Sequence, residues 1–254
     1  MSIPPIHVAD RSLFRYDERA TEKRVGLIVL ATDHSVEPDF ARLVSSERVG
    51  IFSTRVQYAN PTTPDNLRKM APRLTEAAAL ILPDEELDVV CFMCTSASVV
   101  IGNDAIRVAI QQAKPGVPVV TPTMAAVAGL RKLGARRISV LTPYTLETSE
   151  PMAAYFAAQG FSIESFTCLG LEDDRRMAEL SRDTLIEEAV AATSPDADAL
   201  FISCTALRSA SVVAKIEARI NRPVVSSNQA SAWACLTQCG LPGPSSAVAG
   251  SLFA

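Results

Sequence analysis

The chain has 254 residues and a formal net charge of −4, and 48% of its residues are hydrophobic and 20% charged. Those values are ordinary for a globular protein and provide no basic field for nucleic acid. No apolar run is long enough to span a membrane, and residues 1–23 lack the apolar core of a secretory signal, so we expect a cytoplasmic protein without nucleic-acid or membrane partners.

After a polar arm over residues 1–23, apolar strands alternate with helices along the whole chain. In the first half, we predict strands at 24–30, 49–57, 89–93 and 117–120 and helices at 40–48, 67–82 and 99–113. In the second half, we predict strands at 136–141, 161–169, 199–203 and about 222–227, and helices at 124–133, 148–159, 176–192 and 209–220. A last helix is predicted at 229–239. This alternation implies parallel sheets joined by right-handed crossovers.

The second half repeats the pattern of the first. Cys204 follows Cys94 by 110 residues (204 − 94), and Pro223 follows Pro118 by 105 (223 − 118). A nearly constant offset between matching landmarks indicates an internal duplication. We therefore divide the chain into a first α/β half, 1–122, with 229–254 packing back on it, and a second half, 123–228.

Each half carries an apolar strand that ends in a Cys-Thr pair, at Cys94-Thr95 and at Cys204-Thr205. The small polar residues that follow suit the first turn of a helix, so each cysteine is predicted where a strand ends and a helix begins. The helix dipole and the unpaired N–H groups there would depress the thiol pKa and bind a carboxylate. Hydroxyl groups in the two motifs suit the same carboxylate: Thr95, Ser96, Ser98, Thr205 and Ser209.

Two such sites facing one cleft would place a sulfur on each side of a small acid. One thiolate would remove a proton or add to a double bond while the other thiol supplies a proton on the opposite face. This chemistry is a racemisation or an isomerisation and needs no cofactor. The alternative is that both cysteines are merely small buried residues at strand ends.

Other motifs point to little further chemistry. Cys91 and Cys94 have a metal-like spacing, but on a strand their side chains point to opposite faces, and no second Cys or His pair completes a metal site. No glycine-rich phosphate loop is present. His34, in the loop after the first strand, is a candidate partner for a cysteine, although a single loop histidine is more typical of a local hydrogen-bonding residue.

The chain resembles the maleate cis-trans isomerase and arylmalonate decarboxylase group of the aspartate/glutamate racemase superfamily. Besides the cysteine motifs, the resemblance is carried by Val36-Glu37-Pro38, Thr142-Pro143-Tyr144 and Ser227-Asn228-Gln229-Ala230. It implies an α/β fold of two pseudo-twofold-related, flavodoxin-like (Rossmann-like) halves with parallel sheets, an active site in the cleft between them, no metal or cofactor, and a homodimer.

The same resemblance implies roles for three residues. Cys94 would be the nucleophile or first base, Cys204 the second acid/base, and Tyr144 a hydrogen-bonding group at the substrate. Because arylmalonate decarboxylases keep only the second cysteine, the presence of both here favours an isomerase or racemase.

Two positions depart from the pattern of the maleate isomerases. Those enzymes carry substrate-binding asparagines where this chain has Asp33 and Asp174. An ionised aspartate repels a carboxylate and favours an ammonium or amidinium group. The alternative for Asp33 is that it only caps the following helix. The pattern is similar to the ectoine-utilisation branch of the family, which implies cyclic or acetylated amino acids as substrates.

The sequence therefore predicts a cofactor-independent isomerase or racemase that acts at the carbon next to a carboxylate, on an amino-acid-like, ectoine-derived substrate. One alternative is a maleate cis-trans isomerase proper, which converts maleate to fumarate. The other is a binding protein for small molecules that kept the cleft without turnover. Reactive thiols would distinguish either enzyme from the binding protein.

Overall fold

A computed structural model describes residues 3–44 and 47–254 and shows two parallel sheets of four strands each. The first sheet contains β1 Lys23–Leu30, β2 Val49–Val56, β3 Val89–Met93 and β4 Val119–Val120. The second contains β5 Arg137–Thr142, β6 Ser162–Cys168, β7 Ala199–Ile202 and β8 Val224–Ser226. The strand orders are β2-β1-β3-β4 and β6-β5-β7-β8, so the second sheet repeats the first. The predicted fold class, two parallel α/β halves, is confirmed.

The inner strands are buried on both faces. In β1, every residue from Val25 to Leu30 is buried, and β3 is buried throughout. β1 pairs with β3 in register from Val25 opposite Val89 to Val29 opposite Met93. Continuous apolar strands of this kind require helices on both sides of the sheet.

Helices cover both faces of each sheet. They are α1 Val36–Leu43, α2 Pro64–Arg68, α3 Leu74–Ala79, α4 Thr95–Ile101, α5 Asn103–Ala113, α6 Pro122–Lys132, α7 Leu146–Ala158, α8 Asp174–Glu179, α9 Arg182–Ala192, α10 Val213–Ile220, α11 Ser227–Gln238 and α12 Ser246–Ala249. None of the helices in the described ranges has the length and apolarity needed to cross a bilayer.

One apolar layer lies between the two sheets. It joins side chains of β1 and β5 to those of α6 and α11, and two outer apolar clusters cover the far faces of the sheets. The last long helix, α11, packs against α1, β3 and α6. The division at residues 122 and 228 stays a prediction.

Three predicted helices are each broken in the structure. The 67–82 helix is divided into α2, a short 3₁₀ helix at Ala71–Arg73 and α3, because Pro72 has no N–H to continue the α-helical bonding. The 99–113 helix begins earlier, at Thr95, and is interrupted at Gly102, whose φ is +93°. The 176–192 helix is divided between α8 and α9.

Two more helix starts were predicted wrongly. The 40–48 helix begins at Val36 and ends at Leu43, and its residues 45 and 46 lie outside the described ranges. The 209–220 helix begins as a 3₁₀ helix at Arg208–Ser211 and becomes α-helical only at Val213.

Candidate active site

A narrow cavity of about 20 Å³ lies where the carboxyl ends of the inner strands of both sheets meet. Its walls come from both halves of the chain. They consist of Leu30, Asp33, Tyr58, Thr62, Leu67, Cys94, Ser96, Tyr144, Asp174, Met177, Cys204, Thr205 and Ala206. The structure thus brings seven predicted site residues to one place: Asp33, Cys94, Ser96, Tyr144, Asp174, Cys204 and Thr205. The other predicted hydroxyl groups, those of Thr95, Ser98 and Ser209, do not line the cavity. The hydroxyl of Thr95 donates to Ser227 Oγ at 2.8 Å, and that of Ser98 donates to the carbonyl of Cys94 at 2.6 Å.

Cys94 stands at the junction of β3 and α4. Its backbone is extended, with φ −151° and ψ 113°, and it caps the first turn of α4. The sulfur lies 3.7 Å from the hydroxyl of Ser96. Burial raises the pKa of the thiol to about 12, although the Ala97 N–H and the Ser96 hydroxyl act to lower it.

Cys204 follows β7 in a strained conformation. Its φ is +96°, a region that L side chains rarely occupy and that costs about 1–3 kcal/mol. The sulfur accepts the N–H of Ala206 at 3.3 Å and lies 3.9 Å from Met177 Sδ. Burial raises the pKa of this thiol to about 11, and a hydrogen bond from Tyr144 is the largest effect that lowers it. Strain at a buried residue of a cavity is a common mark of a functional position.

The expectation of depressed thiol pKa values is wrong. At Cys94, the helix N-terminus is present, but the loss of hydration on burial outweighs it. At Cys204, no helix begins directly after the cysteine, because the next helical turn starts at Arg208. Both thiols are therefore neutral at neutral pH, and either one needs a nearby positive charge or a base to ionise.

Asp33 caps α1 and also faces the cavity. Its Oδ1 accepts the N–H of Ser35 at 3.0 Å and that of Val36 at 2.8 Å. The side chain is buried, and burial raises the pKa of the carboxyl to about 6 despite those two donors. Asp33 can therefore cap the helix and line the cavity at once, because only Oδ1 accepts the N–H groups of the helix.

Asp174 is held by residues of the other half of the chain. Thr32 donates its hydroxyl to Oδ2, and Asn60 donates to Oδ1 at 2.6 Å. Asn60 in turn accepts the backbone N–H of Asp174 at 3.2 Å. In the same loop, the N–H of Thr62 donates to Glu172 O at 2.7 Å, so the loop after β2 is fastened to the loop after β6.

Two tyrosines contribute neutral hydroxyl groups. Tyr144 lies beside Cys204, and burial holds the pKa of its phenol well above 10. Tyr58 shares a 2.6 Å hydrogen bond with Thr62, and burial raises the pKa of its phenol also. Sequence analysis missed Tyr58 although it follows β2 at the same sheet edge. It missed Met177 as well, because only the position of α8 in the fold brings that side chain to the cavity.

Two other candidates lie elsewhere. His34 is exposed and is not among the residues that line the cavity, so a Cys–His pair does not form there. Cys91 packs in the layer between the sheets, with its sulfur 3.2 Å from Met93 Sδ, whereas Cys94 belongs to the outer cluster. The two cysteines of this spacing therefore point to opposite sides of β3.

The charges of the cavity wall have one sign. Asp33 and Asp174 are its ionisable carboxyl groups, and none of the described lining residues is a lysine, arginine or histidine. A carboxylate ligand would have to be bound by N–H and hydroxyl groups, while a cationic group of the ligand would be attracted to the two aspartates.

Comparisons with known proteins relate the whole two-sheet unit to one family. A family model described as arylmalonate decarboxylase matches residues 25–253. Arylmalonate decarboxylase from Bordetella bronchiseptica is 29% identical over 228 residues, which cover 88% of this chain and 93% of that protein. Maleate isomerase from Nocardia farcinica is 29% identical over 231 residues, which cover 87% of this chain and 91% of that protein.

A solved structure shows the same architecture. The crystal structure of a cysteine-to-alanine variant of the maleate isomerase from Pseudomonas putida S16, with maleate, matches with a TM-score of 0.79 at 26% identity. The match covers 87% of this chain and 93% of that one.

Proposed function

The chain belongs to the arylmalonate decarboxylase family, and from this membership we propose a cofactor-independent isomerase or racemase whose catalytic pair is Cys94 and Cys204. It acts at the carbon next to a carboxylate. The observation that carries the proposal is that two cysteines, each following the third strand of its own sheet, line one small cavity. A cleft that only binds a ligand requires no such pair of sulfurs.

The proposed chemistry divides proton transfer between the two faces of the substrate. In a racemisation, one thiolate takes the α-proton, and the thiol on the opposite face gives its proton to the resulting carbanion. In a cis-trans isomerisation, the Cys94 thiolate adds to one double-bond carbon and the Cys204 thiol gives its proton to the other. After rotation about that carbon–carbon bond, which is now single, the Cys204 thiolate takes a proton back and the Cys94 thiolate leaves, so both groups return to their starting state. The hydroxyl of Ser96 and the N–H groups after Cys94 bind the carboxylate. The hydroxyl of Thr205, which sequence analysis assigned to the same role, already donates its one proton to the carbonyl of Met93.

A zwitterionic, amino-acid-like substrate fits the charges of the cavity. A bound cation beside Asp33 and Asp174 neutralises two like charges, and it lowers the pKa of a nearby thiol, since an opposite charge favours the thiolate. A dianion would instead add to the negative charge of the cavity and raise the pKa of a nearby thiol. We therefore propose a substrate that carries a carboxylate and an ammonium or amidinium group, as the resemblance to the ectoine-utilisation branch implies.

Maleate isomerase proper is the second candidate. It is favoured by the 29% identity to the Nocardia farcinica enzyme and by the presence of both cysteines. The two aspartates at the cavity speak against maleate, because each would repel a substrate carboxylate at contact distance.

A substrate panel in buffered D₂O tests the proposal. The panel contains maleate, a cyclic amidinium carboxylate and an N-acetylated diamino acid, and NMR follows both conversion and deuterium incorporation. We expect exchange of the α-proton in the amidinium or acetylated acid and little conversion of maleate. Efficient formation of fumarate would establish the second candidate instead. No turnover of any compound, together with unreactive thiols, would favour a binding protein.

We also propose a homodimer in the cytoplasm. The family resemblance implies the dimer, and the N-terminal arm is compatible with one, since its apolar side chains Ile6, Val8 and Leu13 are exposed. Light scattering coupled to gel filtration would measure the mass. A single species at the monomer mass of 27.1 kDa would contradict the dimer.

A further inference from the structure

The strained backbone of Cys204 is held by a residue of another element. The N–H of Cys204 donates to Ser227 Oγ at 3.1 Å. Ser227 is the first residue of α11 and is fully buried. Its Oγ accepts a second hydrogen bond, from the hydroxyl of Thr95 at 2.8 Å, which the two lone pairs of a hydroxyl allow.

The next residue of α11 fixes the same segment on its other side. Asn228 donates to the carbonyl of Thr205 at 2.9 Å and to Asp39 Oδ2 at 2.8 Å. Consecutive side chains at the start of α11 thus bind the N–H of Cys204 and the carbonyl of the residue after it. Such anchoring is what a backbone in a disfavoured conformation needs in order to persist.

The two cysteine motifs are joined crosswise. Thr95, which follows Cys94, acts through Ser227 on the N–H of Cys204. Thr205, which follows Cys204, donates its hydroxyl to the carbonyl of Met93 at 3.2 Å, directly before Cys94. Neither Thr95 nor Ser227 lines the cavity, so their hydroxyls serve the backbone.

We propose that Thr95 and Ser227 are positioning residues that hold Cys204 in its left-handed conformation and so aim its sulfur into the cavity opposite Cys94. When the N–H anchor is lost, Cys204 relaxes towards negative φ, and its sulfur moves away from the N–H of Ala206. The catalytic meaning of this positioning rests on the proposed role of Cys204, but the anchor itself does not.

The test compares how fast iodoacetamide alkylates Cys204 and Cys94 in the same sample, read by peptide mass spectrometry. Ser227→Ala removes the acceptor, and Thr95→Val removes the donor to that acceptor at nearly constant volume. Both changes should lower the ratio of the Cys204 to the Cys94 alkylation rate on the order of tenfold. When the sulfur of Cys204 loses its N–H donors, the pKa of the thiol rises, and a rise of about one unit lowers the thiolate fraction tenfold.

Two control variants separate positioning from general damage. Thr95→Ser keeps the hydroxyl and should keep the ratio. Ser231→Ala deletes another buried serine hydroxyl of α11, one that has no partner among the described residues, and should also keep it. If Ser227→Ala fails to fold, the Thr95→Val and Thr95→Ser pair still decides the matter.

The proposal is overturned if a folded Thr95→Val protein keeps the ratio of the unchanged protein. It is equally overturned if only Cys94, the direct neighbour of the substituted residue, changes its rate. Alkylation does not require turnover. If the substitutions lower the alkylation ratio as expected but the unchanged protein converts no substrate, the anchor is established and only the proposed function is contradicted.

Discussion

Three side chains of the cavity, Cys94, Cys204 and Asp33, retain their protons to a higher pH than the same groups do in water. Burial raises the pKa of Cys94 and of Cys204, and it raises the pKa of Asp33 to about 6. Water is excluded from these groups, and the few donors nearby replace it only in part. Ionisation of either thiol therefore requires a positive charge or a base nearby, which a charged ligand could supply.

The raised pKa of Asp33 makes a prediction about stability. The folded pKa is about 6 and the ordinary value 3.8, so between about pH 4 and pH 6 this carboxyl binds more protons in the folded protein than in the unfolded chain. The contribution of Asp33 to stability must then fall as the pH rises through that window and stay lower above it, by about 3 kcal/mol for a shift of this size. Asp33→Asn keeps an acceptor for the N–H groups of Ser35 and Val36 without the charge, so it should abolish the fall and stabilise the protein at neutral pH.

Urea unfolding from pH 4 to pH 8 measures this effect. Asp65→Asn is the matched control, since the carboxyl of Asp65 is exposed and pairs with Arg68 at the surface. A parallel pH profile for the Asp33→Asn protein and the unchanged protein would show that burial of Asp33 has no energetic consequence.

The same substitution should change ligand preference. Asp33→Asn removes a negative charge from the cavity wall and adds an amide donor, so binding should shift from the zwitterion towards maleate. The shift could reach tenfold or more, since each 1.4 kcal/mol is a factor of ten in affinity. Calorimetric titration with both compounds measures it, with Asp65→Asn as the control, because Asp65 is exposed and does not line the cavity. An unchanged preference would leave Asp33 with only its capping role.

At the scale of elements, strands were predicted more closely than helices. Buried apolar runs mark β1, β3 and β7 to within a residue or two, because such runs have few alternatives in a parallel sheet. The spacing of apolar residues that predicts a helix continues on both sides of Gly102, so the interruption there was not predicted.

In the candidate site also, some residues could be predicted from the sequence and others could not. Cys94, Cys204 and Tyr144 lie one or two residues after strands and could be placed from the sequence. Met177 could not, because it reaches the cavity only through the packing of α8. Asn60, which holds the cavity residue Asp174, could not be placed either, because that contact joins loops from opposite halves.

The contacts of Asn60, in the loop after β2, predict how much this loop contributes to stability. Asn60 donates to Asp173 at 2.7 Å and to Asp174 at 2.6 Å, and these bonds cross between the two halves. Asn60→Ala should destabilise the protein by about 1–3 kcal/mol, because it leaves partly buried carboxylates short of donors. It should also weaken binding of the carboxylate substrate. Asn66→Ala, in the same segment, loses two exposed hydrogen bonds, one to the Pro61 carbonyl and one from Lys69, and should change stability by about 0.5 kcal/mol or less. Equal effects of both changes on urea unfolding would contradict a bridging role for Asn60.

The whole molecule is a duplicated sheet whose copies each deliver one sulfur to a shared cavity. The equal strand orders of the two sheets place Cys94 after β3 and Cys204 after β7, its counterpart. The copies have diverged around those sulfurs, since an α-helix follows one directly and a strained turn follows the other. The constant offset between matching landmarks in the sequence predicted the duplication. It could not predict the strained turn at Cys204, because that turn depends on contacts with α11.

The central claim is that Cys94 and Cys204 act as a pair on one substrate, and conservative substitution tests it most directly. Cys94→Ser and Cys204→Ser remove an ionisable sulfur at almost unchanged volume, with Cys168→Ser as a control outside the cavity. The measurement is net interconversion and α-proton exchange in D₂O, on the compound that the substrate panel identifies. Each cavity variant should lose net interconversion by about 10²–10⁴-fold, because general acid–base groups contribute that much, while the control keeps its rate. Residual exchange in one variant would report the face that its remaining cysteine serves. Full activity in either cavity variant would contradict the claim.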